Sequence, residues 1–91
     1  MTAKTTVKIQ NVRGLHARAS AAFVKQADNF SGDIFVTNSE GLRVSGKSIM
    51  GLLMLGAPMG SSLTIEVEGD DEDQAMGQLV DLVNNKFGEE I

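Results

Sequence analysis

Near the start of the chain, Thr5, Val7 and Ile9 alternate with Thr6, Lys8 and Gln10. A period of two is that of a strand with one buried face. The segment from Thr5 to Val12 reads as such a strand, giving way over Asn11 to Gly14 to a loop. The period then changes. Ala19, Phe23, Ala27 and Phe30, with Val24 beside them, follow one helical face, while Lys25, Gln26 and Asp28 fall on the wet side. That spacing predicts a helix over Ala17 to Phe30, ended by Ser31-Gly32. Alternation returns in Asp33 to Thr37, with Ile34 and Val36 on one side and Phe35 on the other. Asn38-Ser39-Glu40-Gly41 is a turn by composition, so Leu42 to Ser45 is expected to fold back as the second arm of a hairpin. After Gly46 a short helix is expected from Ser48 or Ile49 to Leu55, then a loop from Gly56 to Gly60. Leu63, Ile65 and Val67 carry a fourth strand. Gly69 to Asp73 is an acidic turn in which Asp70 or Asp71 can cap the last helix. There Ala75, Leu79, Leu82, Val83 and Lys86/Phe87 keep helical spacing.

The predicted order, βαββαβα, is that of an α+β fold in which helices cover one face of a sheet. With 91 residues, 42% of them hydrophobic, and no linker or internal repeat, residues 1–91 are expected to form one domain with a real core. A net charge of −4, and the lack of Trp and Tyr, argue against nucleic acid as a partner. The chain has no cysteine, which excludes disulfides and thiolate metal sites and fits a cytoplasmic setting. No apolar run has the length of a membrane span or the character of a signal peptide, so no membrane insertion is expected. The acidic run before the last helix reads as capping and a solvated face rather than as a metal site.

Candidate chemistry centres on His16, the only histidine. It stands where the first strand hands over to the first helix, beside Gly14, which permits a sharp turn. A helix N-terminus offers unpaired N–H groups and partial positive charge, and so holds anions. Arg18 adds a permanent cation whose fork of donors matches phosphate oxygens. Together these could hold a phosphoryl group on a ring nitrogen, with Arg18 stabilising charge during transfer. Metal binding is a poor alternative, because no second His and no Cys is present. A Ser–His–Asp hydrolase is also poor, for want of a nucleophile-elbow pattern.

Gly14-Leu15-His16-Ala17-Arg18-Ala19-Ser20-Ala21 resembles the active-site motif of HPr, the histidine-containing phosphocarrier of the bacterial phosphotransferase system. Lys47-Ser48-Ile49-Met50-Gly51-Leu52-Leu53-Met54-Leu55-Gly56 resembles the regulatory-serine motif of the same family, in the expected order and at about the expected separation. The likeness runs from roughly Thr5 to Phe87. Ala19 departs from it, standing where the family usually has proline. The resemblance implies an open-faced β-sandwich, a four-stranded antiparallel sheet covered on one face by three helices. It also implies a carrier that is not itself an enzyme and needs no cofactor. That carrier accepts a phosphoryl group from phosphorylated enzyme I at His16, on Nδ1, and passes it to an enzyme IIA. The acceptor belongs to sugar uptake or to nitrogen-related regulation. A monomer is expected.

At about 100° per residue, Ile49, Leu52 and Leu55 of the short helix point one way, assigned to the core, and Met50, Leu53 and Met54 point the other. An apolar face turned to solvent marks a partner surface, and methionine adapts to several partners. By the resemblance, the contact set for enzyme I and enzyme IIA is Ala17, Arg18, Ser20, Ala21, Ile49, Met50, Leu53 and Met54. Ser48 is placed to cap this helix and, by the resemblance, is a candidate target of HPr kinase/phosphorylase. A phosphate there would set a double negative charge in the docking patch without disturbing the helix. The alternative function is a regulatory binding module that works through the Met50/Leu53/Met54 patch and transfers no phosphate.

Overall fold

A computed structural model describes residues 2–91. Its elements follow the expected order: β1 (Thr2–Lys8), α1 (Ala17–Ala27), β2 (Asp33–Thr37), β3 (Arg43–Ser45), α2 (Ile49–Met54), β4 (Ser62–Glu68) and α3 (Glu72–Asn84), closed by a 3-10 turn over Lys86–Gly88. The four strands form one sheet in the order β1-β4-β2-β3, and every pairing is antiparallel. β4 is central, with Ile65 opposite Thr5 on one side and Val36 on the other.

The period-two pattern sorts the two faces. Val7, Ile34, Val36, Leu63, Ile65 and Val67 are buried on one face. Phe23 and Ala27 of α1, Leu52 of α2, and Ala75, Leu79 and Val83 of α3 close over them. Each fully buried large side chain contributes about 1.5–3 kcal/mol from apolar area removed from water. The opposite face carries Lys4, Thr6, Thr64 and Glu66, and among the described residues no element covers it. Phe35 lies on that open face, where the Arg43 guanidinium sits 3.7 Å above its ring, and Arg43 Nε lies 3.5 Å from Glu66 Oε1. The protein is thus an open-faced sandwich, with three helices on one side of a four-stranded antiparallel sheet.

The differences from the sequence reading have local causes. β1 begins at Thr2 and ends at Lys8. Beyond it Ile9 still bonds across, donating to Ser61 O at 2.9 Å and accepting from Gly60 N–H at 2.8 Å. Asn11 then turns the chain, so Val12 is loop and exposed rather than strand. α1 stops at Ala27, and Phe30 enters the core from a tightened turn in which its N–H bonds Ala27 O at 3.1 Å. β3 starts at Arg43 because Asn38 Oδ1 accepts the N–H groups of Glu40 (3.0 Å) and Leu42 (2.9 Å), which holds Leu42 in the turn.

In α2, Leu52 and Leu55 are buried, but Ile49, expected in the core, is 41% exposed. The two leucines define the inward stripe, and Ile49 lies about 60° to one side of Leu52 and about 120° from Leu55. α3 ends at Asn84 rather than continuing to Phe87. Lys86 and Phe87 take left-handed φ values of 59° and 56°, and Phe87 is buried from that turn. Leu82 is only half-buried, and Met76 takes a core position that the sequence reading left out. Asp71 occupies the cap position of α3 without a side-chain capping bond, while Glu72 and Asp73 complement the positive end from the first turn.

Candidate functional site

The loop from Asn11 to Leu15 is built to set the next residue at a helix mouth. Gly14 has φ of +69°, and a Cβ there would lie 2.5 Å from Ala57 O, so the position needs glycine for conformation and for space. Leu15 buries its side chain, and its N–H donates to Ala57 O at 2.9 Å. The loop leaving α2 is therefore clamped onto the loop entering α1.

His16 then occupies the N-cap position of α1 with extended backbone (φ −82°, ψ −174°). Its carbonyl accepts the first bond of the helix, from Ser20 N–H at 2.8 Å. The N–H groups of Ala17, Arg18 and Ala19 precede that ladder and have no intrahelical acceptor. The imidazole makes no capping bond to them, which leaves this positive end open to an anion.

The imidazole is 23% exposed, and its Nε2 is hydrogen-bonded to Glu89 Oε2. Glu89 reaches back from the tail after the 3-10 turn. Its other oxygen accepts from Asn11 Nδ2 at 2.9 Å, and the same amide donates to Gly14 O at 2.8 Å. Asn11 is fully buried, so the arrangement is fixed from below. The Asn11 hydrogen bond is the main cause holding the Glu89 carboxyl below the usual carboxylate range. Burial acts against it, while His16 and the Arg13 cation reinforce it. The tail is tied once more where Val12 N–H donates to Ile91 O at 2.7 Å. Beside the histidine, Arg13, Arg18, Phe87 and Glu89 line an open concavity of about 540 Å³.

Arg18, exposed in the first turn of α1, lines the same concavity as Glu89, which is bonded to His16. Ala17 and Ala21 are exposed on the same helix, but Ser20 is fully buried. Its Oγ turns inward, 3.5 Å from Leu15 O. Ser20 therefore offers nothing to a partner, and its place in the expected contact set is corrected. Met50 and Met54 are each 70% exposed, with Leu53 and Ile49 also at the surface. α1 packs against α2, so this apolar patch and the histidine lie on neighbouring helices. Ser48 caps α2, its Oγ accepting Gly51 N–H at 3.0 Å. Glu89 and Asn11 were missed from sequence. Glu89 lies 73 residues from its histidine, and no local spacing joins them.

A part-exposed histidine at an open helix N-terminus, next to an open concavity that Arg18 lines, can hold an anionic group. The family model described as "PTS HPr component phosphorylation site" matches residues 3–85. The chain is 48% identical over 86 residues to the phosphocarrier protein HPr of Neisseria meningitidis serogroup A, covering 94% of this chain and 96% of that one. It is 32% identical over 90 residues to the phosphocarrier protein NPr of Escherichia coli K12, covering 99% and 100% of the two. A crystal structure of HPr from Thermoanaerobacter tengcongensis superposes with a TM-score of 0.91 at 45% identity, covering 98% of this chain and 99% of that one. The chain belongs to the HPr family, the phosphocarriers of the phosphotransferase system.

Proposed function

We propose that the protein accepts a phosphoryl group from phosphorylated enzyme I on His16 and passes it to an enzyme IIA. Carriage of the group, rather than catalysis, is its role, and residues 1–91 act as a single domain in the cytoplasm as a monomer. The observation that carries this reading is the placement of His16 at the open N-terminus of α1, with Arg18 in the first helical turn. The helix N–H groups and Arg18 supply fixed positive charge where the phosphoryl oxygens would lie. The ring is part-exposed, at 23%, which suits both uptake and release of the group. Similarity to both HPr and NPr chains leaves the sugar-uptake and nitrogen-related branches as the two destinations. The Ile49, Met50, Leu53 and Met54 patch, with Ala17, Arg18 and Ala21, is the surface we assign to both partners.

Ser48 is the proposed regulatory site, a target of HPr kinase/phosphorylase. Its hydroxyl is at the surface end of α2, next to exposed Ile49 and Met50. A phosphate there would put negative charge into the docking patch at a helix end that tolerates it.

The test is incubation with enzyme I and labelled phosphoenolpyruvate. The expected product is a phosphoramidate, stable in base and lost in acid, absent from His16→Ala. Label that persists in that folded variant overturns the assignment. A wild-type protein that stays unlabelled yet binds enzyme I would instead make it a regulatory module acting through Met50, Leu53 and Met54.

A further inference from the structure

The tail carboxylate on the imidazole adds a role that the site itself does not require. Nε2 of His16 and Oε2 of Glu89 are hydrogen-bonded. An ionised carboxylate can only accept, so Nε2 carries the proton in that bond. A neutral ring with its proton on Nε2 has its lone pair on Nδ1. The carboxylate is itself held. Asn11 Nδ2 donates to its second oxygen, and Asn11 is fully buried and anchored on Gly14 O. An amide serving two acceptors with one nitrogen has its orientation fixed by them. The chain Gly14–Asn11–Glu89–His16 therefore runs from the turn that positions the histidine, through the tail, and back to the ring. Four charged side chains surround the concavity: Arg13 from the loop, Arg18 from α1, and Glu89 and Glu90 from the tail. Only Glu89 is bonded to the ring.

We propose that Glu89 is the positioning residue of the transfer, holding the proton on Nε2 so that Nδ1 is the nucleophile and countering the charge that the ring gains. The inference rests on the phosphocarrier reading. In the forward step the Nδ1 lone pair forms the N–P bond, and the bond from phosphorus to the donor atom breaks, its electron pair leaving with the donor. No proton moves. The ring, now substituted on Nδ1 and still protonated on Nε2, bears a positive charge that faces the Glu89 carboxylate. In the onward step the acceptor's lone pair attacks phosphorus, the N–P pair returns to Nδ1, and the ring is neutral again with its proton where it began. A fixed carboxylate suits both directions, because charge forms in one and disappears in the other without reorganisation. A charge-assisted hydrogen bond is roughly twice as strong as a neutral one. Removal of the charge alone should therefore slow transfer by roughly five- to tenfold.

The experiment uses the full chain with its imidazole labelled with ¹⁵N, as wild type, Glu89→Gln and Glu89→Ala. Glutamine keeps an acceptor and loses the charge, whereas alanine loses both. In the unphosphorylated protein the ¹⁵N shifts should report the Nε2–H form for wild type and Glu89→Gln, and a mixture of tautomers for Glu89→Ala. Steady-state transfer from enzyme I should then show kcat lowered in Glu89→Gln, lowered further in Glu89→Ala, and KM unchanged in both. An Nδ1–H form in the wild type overturns the proposal. So does a Glu89→Ala protein whose shifts or whose kcat match the wild type, and so does a loss that appears in KM alone. If the wild type takes no label from enzyme I, the phosphocarrier reading itself has failed. The spectra, which need no transfer, still show whether Glu89 sets the tautomer.

Discussion

Leu52 and Met50 lie two residues apart on a helix of six, and their substitution by alanine separates packing from docking. Leu52 is fully buried beneath α2, while Met50 is 70% exposed. A buried leucine cut to alanine costs about 2–5 kcal/mol, the transfer term plus the cavity left behind. For a chain of this size each kcal/mol moves the thermal midpoint by about 4–8 °C, so Leu52→Ala should lower Tm by at least about 8 °C. Full burial of a methionine contributes about 1.5–3 kcal/mol, and less than a third of that is at stake for Met50. Alanine and methionine both favour helix, so propensity adds no penalty. Met50→Ala should thus cost less than about 1 kcal/mol of stability. At an interface the same truncation weakens binding by about 1–2 kcal/mol, roughly five- to thirtyfold in Kd. Denaturant midpoints and calorimetric titration with enzyme I measure the two quantities independently. If Met50→Ala unfolds as readily as Leu52→Ala, or binds enzyme I as tightly as wild type, the outward face of α2 is not the docking surface.

Arg18→Ala should slow phosphoryl transfer and leave Tm nearly unchanged, since the side chain is exposed on the first turn of α1; a stability loss without a kinetic one would make Arg18 structural. Ala19→Pro should fold and accept label, because the helical ladder begins at Ser20 N–H and the Ala19 N–H is one of the unpaired donors that proline lacks. Failure to fold would mean that the buried Ala19 methyl has no room for the ring. Glu89, whose carboxyl is held low chiefly by Asn11, stabilises the docked tail fully above the unfolded pKa, and this contribution is lost as pH falls through the folded one. The protection of Val12 N–H, which is bonded to Ile91 O, against hydrogen exchange should therefore be lost only below the usual carboxylate range, and Asn11→Ala should move that loss upward.

The parts of this fold that could be read from sequence are those in which period and burial agree. β2, β4 and the inward face of α1 follow from Ile34/Val36, Leu63/Ile65/Val67 and Phe23/Ala27, because a side chain's direction repeats with the backbone. Strand order was not contained in that signal. β4 lies between β1 and β2, yet its apolar alternation would serve an edge strand equally well. Element ends were misjudged where a side chain or an unusual φ intervened, as at Asn38 before β3 and at Lys86 and Phe87 after α3. His16 and Arg18 were legible because they share one short motif. Glu89 was not, because its relation to His16 is made by the 3-10 turn and the tail. Ser20 failed in the opposite direction. Motif membership placed it among contact residues, but residue 20 falls on the inward side of α1 with Ala19 and Phe23.

The contact between Gly14 and Ala57 bears on how a partner meets the molecule. Leu15 N–H bonds Ala57 O, and no Cβ fits between the two loops. Leu55 and Ala57, which lead out of α2, are both buried, so the loop that holds the histidine turn is itself fixed in the core. Interiors packed in this way do not deform gradually. The His16 ring and the methionines of α2 therefore sit on interlocked helices, and a partner seated on the proposed patch would find the histidine at a set distance. Charge added at Ser48 would act on that surface directly, by desolvation and repulsion at the contact. The hydroxyl already faces the end of α2, where it accepts Gly51 N–H, and a phosphate oxygen can accept the same bond. Inhibition at Ser48 then needs no movement of His16. In Ser48→Asp, which sets a carboxylate at the same place, the ¹⁵N signature of the ring should stay as it is while affinity for enzyme I falls, which distinguishes obstruction of the surface from a change of shape.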